Sequence, residues 1–355
     1  MKKIVLTGGG TAGHVMPNLA LVPHLQRDGW EISYIGSYHG IEKDLIKEAS
    51  IPYYGIATGK FRRYFSLQNF TDPFRVIQGL FDATVLLRKL QPDLVFSKGG
   101  FVSVPVTVGA WLNRIPVLLH ESDLTPGLAN KLALPFATAI CATFPESLRH
   151  LPTRKSVLTG NPIRDELLHG HRQAGLALCG FSDARPVLAV MGGSLGSKVL
   201  NQNLRSILPQ LLTDFQIVHI CGKGNLDPGL EQPGYRQFEF IGPELPDVLA
   251  AADLCLSRAG ANFLFELLAL KKPALLVPLS RAASRGDQIL NARSFAKQGF
   301  SMVLEEEELT GDLLLERIRQ LYQKRGQYIA AMERSELKDA SATIVKLINQ
   351  MAKGQ

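Results

Sequence analysis

The chain has 355 residues, 46% of them hydrophobic and 20% charged, a composition that excludes a disordered polymer, and a length that exceeds what one compact core usually supports. A formal net charge of +7 favours acidic partners such as phosphates, nucleic acid or an anionic membrane surface, without choosing among them. No apolar stretch reaches the roughly 18 residues that a spanning helix needs, so no membrane crossing is expected.

Taken in chain order, Met1-Lys2-Lys3 has the charge of a signal-peptide start, but the apolar run behind it, Ile4-Val5-Leu6, goes straight into a glycine turn, and no removable leader is expected. That turn reads Gly8-Gly9-Gly10-Thr11-Ala12-Gly13-His14 and opens a helix. A strand, a glycine turn and a helix N-terminus make an anion site, because glycine lets backbone N–H groups approach and the helix dipole favours negative charge. Gly8, Gly10 and Gly13 formally match a dinucleotide fingerprint, yet the second strand ends in Gly36-Ser37, where a nicotinamide enzyme needs a carboxylate. His14, just after the turn, is a candidate general base because its ordinary pKa is near neutral.

Strands are expected at Glu31–Gly36, Tyr53–Ala57, Asp93–Ser97, Pro116–His120, Thr138–Ala142 and Ser156–Leu158, alternating with helical segments. This rhythm means a parallel sheet with helices on both faces, an α/β fold. The stretch from Lys60 through Phe61, Arg62, Arg63 and Phe65 to Phe70, then Phe74 to Phe81, breaks the rhythm by mixing aromatics with cations. Phe61–Phe70 is expected on the surface against an anionic membrane, with Val76, Ile77 and Leu80 in the core. A second glycine loop, Ser97-Lys98-Gly99-Gly100-Phe101, follows a strand, so two anion-cradling turns share one sheet edge and suit a pyrophosphate. His120-Glu121-Ser122-Asp123 adds two carboxylates there; either could bind sugar hydroxyls or move a proton, and for Asp123 helix capping is the expected role.

A turn-rich break at Gly160-Asn161-Pro162 divides the chain into domains at 1–160 and 161–336. The second domain repeats the pattern with strands at Val187–Met191, Gln216–Cys221, Gln237–Ile241, Leu254–Ser257, Ala274–Pro278 and Ser301–Leu304. Its opening turn is Gly192-Gly193-Ser194-Leu195-Gly196-Ser197, and two such openings in one chain suggest two α/β domains facing each other across a cleft with a phosphorylated ligand between them. Ser257-Arg258-Ala259-Gly260-Ala261-Asn262 ends another strand, and Glu266 follows in an otherwise apolar helix, where a ribose diol would account for a carboxylate. Gly286-Asp287-Gln288 places an amide at a further helix start. A last amphipathic helix from Leu337, with Ile344, Leu347, Ile348 and Met351 on one stripe, is expected to pack back on the first domain. Cys141, Cys179, Cys221 and Cys255 are widely spaced and read as reduced core thiols, and no metal-ligand spacing is visible.

In order, Gly-Gly-Thr-Ala-Gly-His-Val, Lys-Gly-Gly-Phe-Val-Ser, Asn-Pro-Ile-Arg, Gly-Gly-Ser-Leu-Gly, Ser-Arg-Ala-Gly-Ala and Asp-Gln-x-x-Asn-Ala closely resemble the signatures of the peptidoglycan N-acetylglucosaminyltransferases. These enzymes move N-acetylglucosamine from UDP-N-acetylglucosamine to undecaprenyl-pyrophosphoryl-N-acetylmuramyl-pentapeptide. The resemblance runs from Gly9 to about Ala292 and implies a GT-B fold, the donor mostly on the second domain and the lipid acceptor on the first. It implies donor phosphates at Ser194, the nucleotide beside Arg164, the ribose on Glu266 with Ala261 and Asn262 nearby, and uracil near backbone Ile241. Gln288 would meet the sugar hydroxyls, with Thr11, Ala12 and Gly13 completing the sugar pocket and Gly99 and Gly100 on the acceptor side. Where many members carry His-Glu-Gln-Asn this chain has His-Glu-Ser-Asp, so Asn130 stands in for a contact that Asp123 is not suited to make, and Phe101 replaces a frequent Tyr.

The resemblance further implies an inverting transfer to the muramyl C4 hydroxyl, His14 as first choice of base and Glu121 as second, no cofactor, no metal and no nucleic acid. A peripheral position on the cytoplasmic face of the cell membrane is expected. A non-hydrolysing UDP-N-acetylglucosamine epimerase and a non-catalytic, membrane-docked UDP-sugar sensor are the alternatives.

Overall fold

The computed structural model of the chain describes residues 2–59, 68–193, 196–337 and 340–353, with 68–74 and 353 described by backbone alone. The chain forms two compact units, Met1–Arg164 with Asp339–Gln355, and Asp165–Lys338.

Among the described residues, the sheet of the first unit holds seven strands: β1 (Lys2–Thr7), β2 (Trp30–Ser37), β3 (Tyr53–Ile56), β4 (Leu94–Ser97), β5 (Val117–Glu121), β6 (Ala139–Ala142) and β7 (Ser156–Leu158). They lie in the order β3-β2-β1-β4-β5-β6-β7, every pair parallel. The connecting helices are α1 (Ala12–Arg27), α2 (Ile41–Glu48), α3 (Gln68–Leu90), α4 (Ser103–Leu112) and α5 (Leu128–Ala133). Strands with helices on both faces alternate their side chains between two cores. Ile4, Leu6, Tyr34 and Phe96 enter one, and Val5, Ile35, Val95 and Leu119 enter the other.

The second unit repeats the scheme with β8 (Val187–Met191), β9 (Gln216–Ile220), β10 (Tyr235–Phe238), β11 (Leu254–Ser257), β12 (Ala274–Leu276) and β13 (Ser301–Val303), in the order β10-β9-β8-β11-β12-β13. Its helices are α6 (Arg172–Cys179), α7 (Lys198–Ser206), α8 (Leu208–Asp214), α9 (Leu245–Ala251), α10 (Ala261–Ala269), α11 (Asp287–Lys297), α12 (Gly311–Gln323) and α13 (Arg325–Glu333). The last helix, α14 (Ala340–Lys353), belongs to the first unit, where Ile344, Val345 and Ile348 complete a core and Trp30 Nε1 donates to Asn349 Oδ1 at 3.0 Å. All four cysteines are buried and unpaired.

In each sheet the strand order reverses direction beside the first strand, between β1 and β4 and between β8 and β11. Such a switch point opens a crevice at the carboxyl ends of the strands. The glycine turns after β1 and β4 flank one crevice, and the turns after β8 and β11 flank the other.

Three expectations need correction. The strand expected over Gln237–Ile241 starts earlier and ends at Phe238, because its pairing with β9 stops there; Ile241 lies beyond the sheet. Asp123 caps no helix, since the N-cap of α5 is Gly127. Ile77 is not core: it is 66% exposed, and it forms with Phe81 and Val85 an exposed stripe along α3. The opposite side of α3 turns inward because Gly79 and Ala83 are small there, and a side chain at Gly79 would run into the Ala57 carbonyl oxygen. The Lys60–Phe65 part of the basic and aromatic segment lies outside the described residues, and for Phe70 and Phe74 only the backbone is described.

Candidate active site

In the first unit the two glycine loops meet. Gly10, Gly99 and Gly100 have φ of +86°, +90° and +86°, a left-handed region that favours glycine. A side chain at Gly100 would run into the Gly9 carbonyl oxygen, and a Cβ at Gly99 would lie 3.0 Å from Asn130 Oδ1. The first turn is held from below by Glu42 of α2, which is fully buried and accepts from Gly10 N–H at 3.1 Å and from Ser37 N–H and Oγ at 3.0 and 2.5 Å. Gly10 N–H is therefore taken by a carboxylate. The anion-facing part of this turn is the start of α1, where Thr11 is the N-cap residue without a side-chain bond to the helix, Thr11 and Gly13 are exposed and Ala12 is half-buried.

His14 stands in the first turn of α1 with its Nδ1 buried and without a hydrogen-bond partner. Burial first, and then the positive charge of Lys98, pull its pKa down to about 4, while Glu42 opposes. The ring is therefore neutral near pH 7, with an unengaged nitrogen. Glu121, at the end of β5, has both oxygens engaged: Oε1 accepts from Asp123 N–H at 3.0 Å, and Oε2 accepts from Asn130 Nδ2 at 2.7 Å and Gly127 N–H at 3.2 Å. Burial pushes its carboxyl up to about 7 against these donors. This arrangement makes Glu121 the anchor of the loop leading to α5. Asn130, fixed through its amide nitrogen to Glu121 and to the His120 carbonyl, keeps a buried Oδ1 without a partner beside Gly99, an acceptor available to a hydroxyl.

The second unit holds a cavity of about 670 Å³, within the range of nucleotide-sized ligands. Gly193, Gly196 and Ser197 form one side, Phe240 and Ile241 another, and Arg258, Gln288 and Glu306 supply polar groups. Ser197 is the N-cap of α7, its Oγ accepting from Leu200 N–H at 3.4 Å and from Arg258 Nη2 at 2.7 Å. Arg258 also donates to the carbonyls of Val277 and Pro278 at 3.1 and 3.3 Å and ion-pairs with Glu306. One guanidinium thus ties α7, the end of β12 and the segment after β13 around the cavity. Gln288 accepts on Oε1 from Ala259 N–H at 3.3 Å and Leu279 N–H at 3.1 Å, which commits its amide oxygen to the backbone at the cavity wall.

The first unit thus gathers His14, Gly99, Gly100, Glu121 and Asn130 around the switch point, and the second brings Ile241 and Gln288 to one cavity. Ser194 lies outside the described residues. Glu266 is buried on α10 but is not on the cavity wall, which Phe263 and Gly260 reach instead; Ala261 and Asn262 are not on it either. Arg164 is the last residue of the first unit and half-buried. Sequence reasoning passed over Glu42, Lys98 and the Arg258–Glu306 pair as site residues. The signal for Lys98 was a lysine directly after a buried strand; for Glu42 no local signal existed. Among the described residues no three His, Cys, Asp or Glu side chains are grouped as a metal site.

The family model for the glycosyltransferase family 28 N-terminal domain matches residues 4–142, and that for the C-terminal domain of the same family matches residues 187–348. The chain is 57% identical over 351 residues, 99% of its length and 100% of the relative's, to the UDP-N-acetylglucosamine–N-acetylmuramyl-(pentapeptide) pyrophosphoryl-undecaprenol N-acetylglucosamine transferase 2 of Bacillus cereus. It is 56% identical over 354 residues, again 99% and 100%, to the transferase of that name from Clostridium botulinum. Among solved structures it is similar to Acinetobacter baumannii MurG, with a TM-score of 0.79, 27% identity, and 99% and 100% of the two chains covered.

Proposed function

The chain belongs to glycosyltransferase family 28, and from that premise we propose how its residues divide the work of the transfer. It is a UDP-N-acetylglucosamine-dependent hexosyltransferase of GT-B fold that adds N-acetylglucosamine to undecaprenyl-pyrophosphoryl-N-acetylmuramyl-pentapeptide in peptidoglycan precursor synthesis. The donor occupies the cavity of the second unit. Its diphosphate faces the N-terminal end of α7, its uracil lies near backbone Ile241, and its sugar hydroxyls accept from Gln288 Nε2. The family resemblance adds Ser194, Arg164 and Glu266, with Ala261 and Asn262, to nucleotide binding, of which Glu266, Ala261 and Asn262 lie off the cavity wall.

The observation that carries the first unit's part is the neutral His14 ring with its unengaged Nδ1. The acceptor C4 hydroxyl gives its proton to the neutral His14 ring as its oxygen bonds to the anomeric carbon and UDP leaves from the opposite face, which inverts the configuration. Thr11, Ala12 and Gly13 line the approach, and Asn130 Oδ1 takes a hydroxyl beside Gly99 and Gly100. Charge developing on UDP is met by the preorganised end of α7, whose cap Arg258 holds.

The protein works as a peripheral protein on the cytoplasmic face of the cell membrane. Supporting this are the net charge of +7, the exposed stripe Ile77, Phe81 and Val85, and the fact that, among the described residues, no helix is long and apolar enough to cross a membrane. Aromatic and aliphatic groups beside cations suit the headgroup region of an anionic bilayer.

The test is UDP release from UDP-N-acetylglucosamine with and without a short-chain lipid-linked muramyl-pentapeptide acceptor. Acceptor-dependent release with a disaccharide product is expected. Equal release without acceptor, or epimerised donor, would overturn the reading.

A further inference from the structure

Lys98, directly after β4, is 1% exposed, yet its Nζ meets three acceptors, two at the end of β5 and one in the turn after β7. It bonds His120 Nδ1 on β5 at 2.6 Å, Ser122 Oγ at 2.7 Å and Asn161 Oδ1 at 2.6 Å. An ammonium has three N–H donors, so all three are used. Burial pulls its pKa down to about 7, with Glu121, Asp123 and Cys141 opposing, and the three acceptors favour the charged form, which is the one present where His14 titrates. His120 Nε2 donates to the Gly160 carbonyl at 3.0 Å, which leaves the lone pair on Nδ1, and Asn161 Oδ1 has no proton to give. A neutral amine would offer only two N–H bonds and turn a lone pair toward one of these groups.

The charge is surrounded by the chemistry of the site. Glu121 faces it from the end of β5, Asp123 from the loop that follows, His120 from β5 itself, Cys141 from β6 and His14 from α1, while Glu42 of α2 also acts on His14. The Lys98 stem packs under the first glycine turn: a Cβ at Gly8 would lie 3.3 Å from Lys98 Cβ and 2.7 Å from the His14 carbonyl oxygen. The Lys98 ammonium engages the Ser122 hydroxyl and offsets the Asp123 charge.

We propose that Lys98 is a positioning residue for the transfer, its ammonium cross-tying the ends of β4 and β5 and the Gly160–Asn161 turn and so holding the loop from Glu121 to Asn130 in register with the glycine turn that carries His14. This rests on the reading of His14 as the base. Two effects follow, one from geometry and one from charge. Loosening the cross-tie displaces Asn130 and slows turnover. Removing the charge takes away a positive neighbour of His14, which then binds a proton at higher pH.

The experiment compares the full-length wild type with Lys98→Met, which keeps the stem and removes the charge and the donors, and with Lys98→Arg, which keeps the charge but changes the donor geometry. UDP-N-acetylglucosamine and a short-chain acceptor are used over about pH 3.5–8.5, so that the wild-type acid limb near 4 falls within the range. For Lys98→Met, kcat should fall about ten- to a hundredfold, KM for the donor should hardly change, and the acid limb of kcat/KM should move to higher pH. Lys98→Arg should lose rate and keep the wild-type acid limb. A folded Lys98→Met enzyme with wild-type rate and acid limb overturns the proposal. If circular dichroism shows that Lys98→Met does not fold, Ser122→Ala decides, since it removes one arm of the cross-tie and keeps the charge. It should lower kcat without moving the acid limb, and an unchanged kcat overturns the proposal. A wild type without acceptor-dependent UDP release instead defeats the functional reading itself.

Discussion

At the scale of single residues, environment separates groups of the same type. His14 and His120 are both held uncharged by burial, but His120 uses both ring nitrogens in hydrogen bonds while His14 keeps Nδ1 unengaged. Only His14 can take up a proton without breaking a bond. His14→Ala should therefore lower turnover roughly 10²–10⁴-fold, with UDP affinity nearly intact by calorimetry; near-normal turnover would move the role to Glu121 or to solvent. In the second unit, Arg258→Met should weaken UDP binding, because it frees the α7 cap and leaves Glu306 as an uncompensated carboxylate on the cavity wall facing a diphosphate. Arg258→Met with Glu306→Gln should recover part of the affinity, and strict additivity of the two changes would show that the pair does not act as a unit. Glu266→Ala should weaken UDP by about 1.5–3 kcal/mol, roughly ten- to more than a hundredfold, if its carboxylate takes the ribose. Unchanged affinity in a folded variant would remove Glu266 from the site, in line with its absence from the cavity wall.

At the scale of elements, α14 and α3 show how little of an element's role lies in its local pattern. The stripe Ile344, Leu347, Ile348 and Met351 was legible as one face of a helix, and that face closes a core whose other residues lie more than two hundred positions earlier, among them Trp30 and Phe96. Ile348→Ala should lower the stability of the first unit by about 2–5 kcal/mol, read as a lower urea midpoint. On α3, large apolar residues suggested a buried face at Ile77, but the inward face is set by small ones. Gly79 and Ala83 let the helix approach its neighbours closely, leaving Ile77, Phe81 and Val85 outside. Changing these three to Ser should reduce binding to anionic vesicles and slow use of a long-chain acceptor, with a short water-soluble acceptor used almost normally. Persisting vesicle binding would place the membrane contact elsewhere.

At the scale of the whole molecule, buried histidines set the response to acid. His14 and His219 titrate near 4 and 3 in the folded chain against an ordinary value of 6.5, and His120 is also held well below that value. Between those values the unfolded chain binds more protons than the folded one, so stability rises with pH across the window and is lost as pH falls below about 6.5. Glu121 acts in the other direction: its folded carboxyl titrates near 7 against an ordinary 4.5, so its ionisation costs stability as pH rises through that range. Three histidines outweigh one carboxylate, and the urea midpoint should be lower at pH 5 than at pH 7. His219→Asn should flatten part of this difference, whatever it costs at pH 7 through the lost bonds to Tyr235 and Asn201; an undiminished difference would assign the acid response to the first unit.

The sequence by itself determined the α/β class, most of the strands, the glycine turns that follow them and the family of the chain, because strand alternation and glycine stereochemistry act over a few residues and survive in any context. It also pointed to His14 beside the first of those turns, whereas Asn130 and Gln288 were candidates only through the resemblance to the family. Only the tertiary structure decided which distant segments meet there. Glu42 holds Gly10 across 32 positions, Lys98 holds Asn161 across 63, and Arg258 holds Ser197 across 61. Each of these pairings depends on strand order in a parallel sheet, which is settled by how the whole core packs, and a buried charge finds its partners only after that order exists.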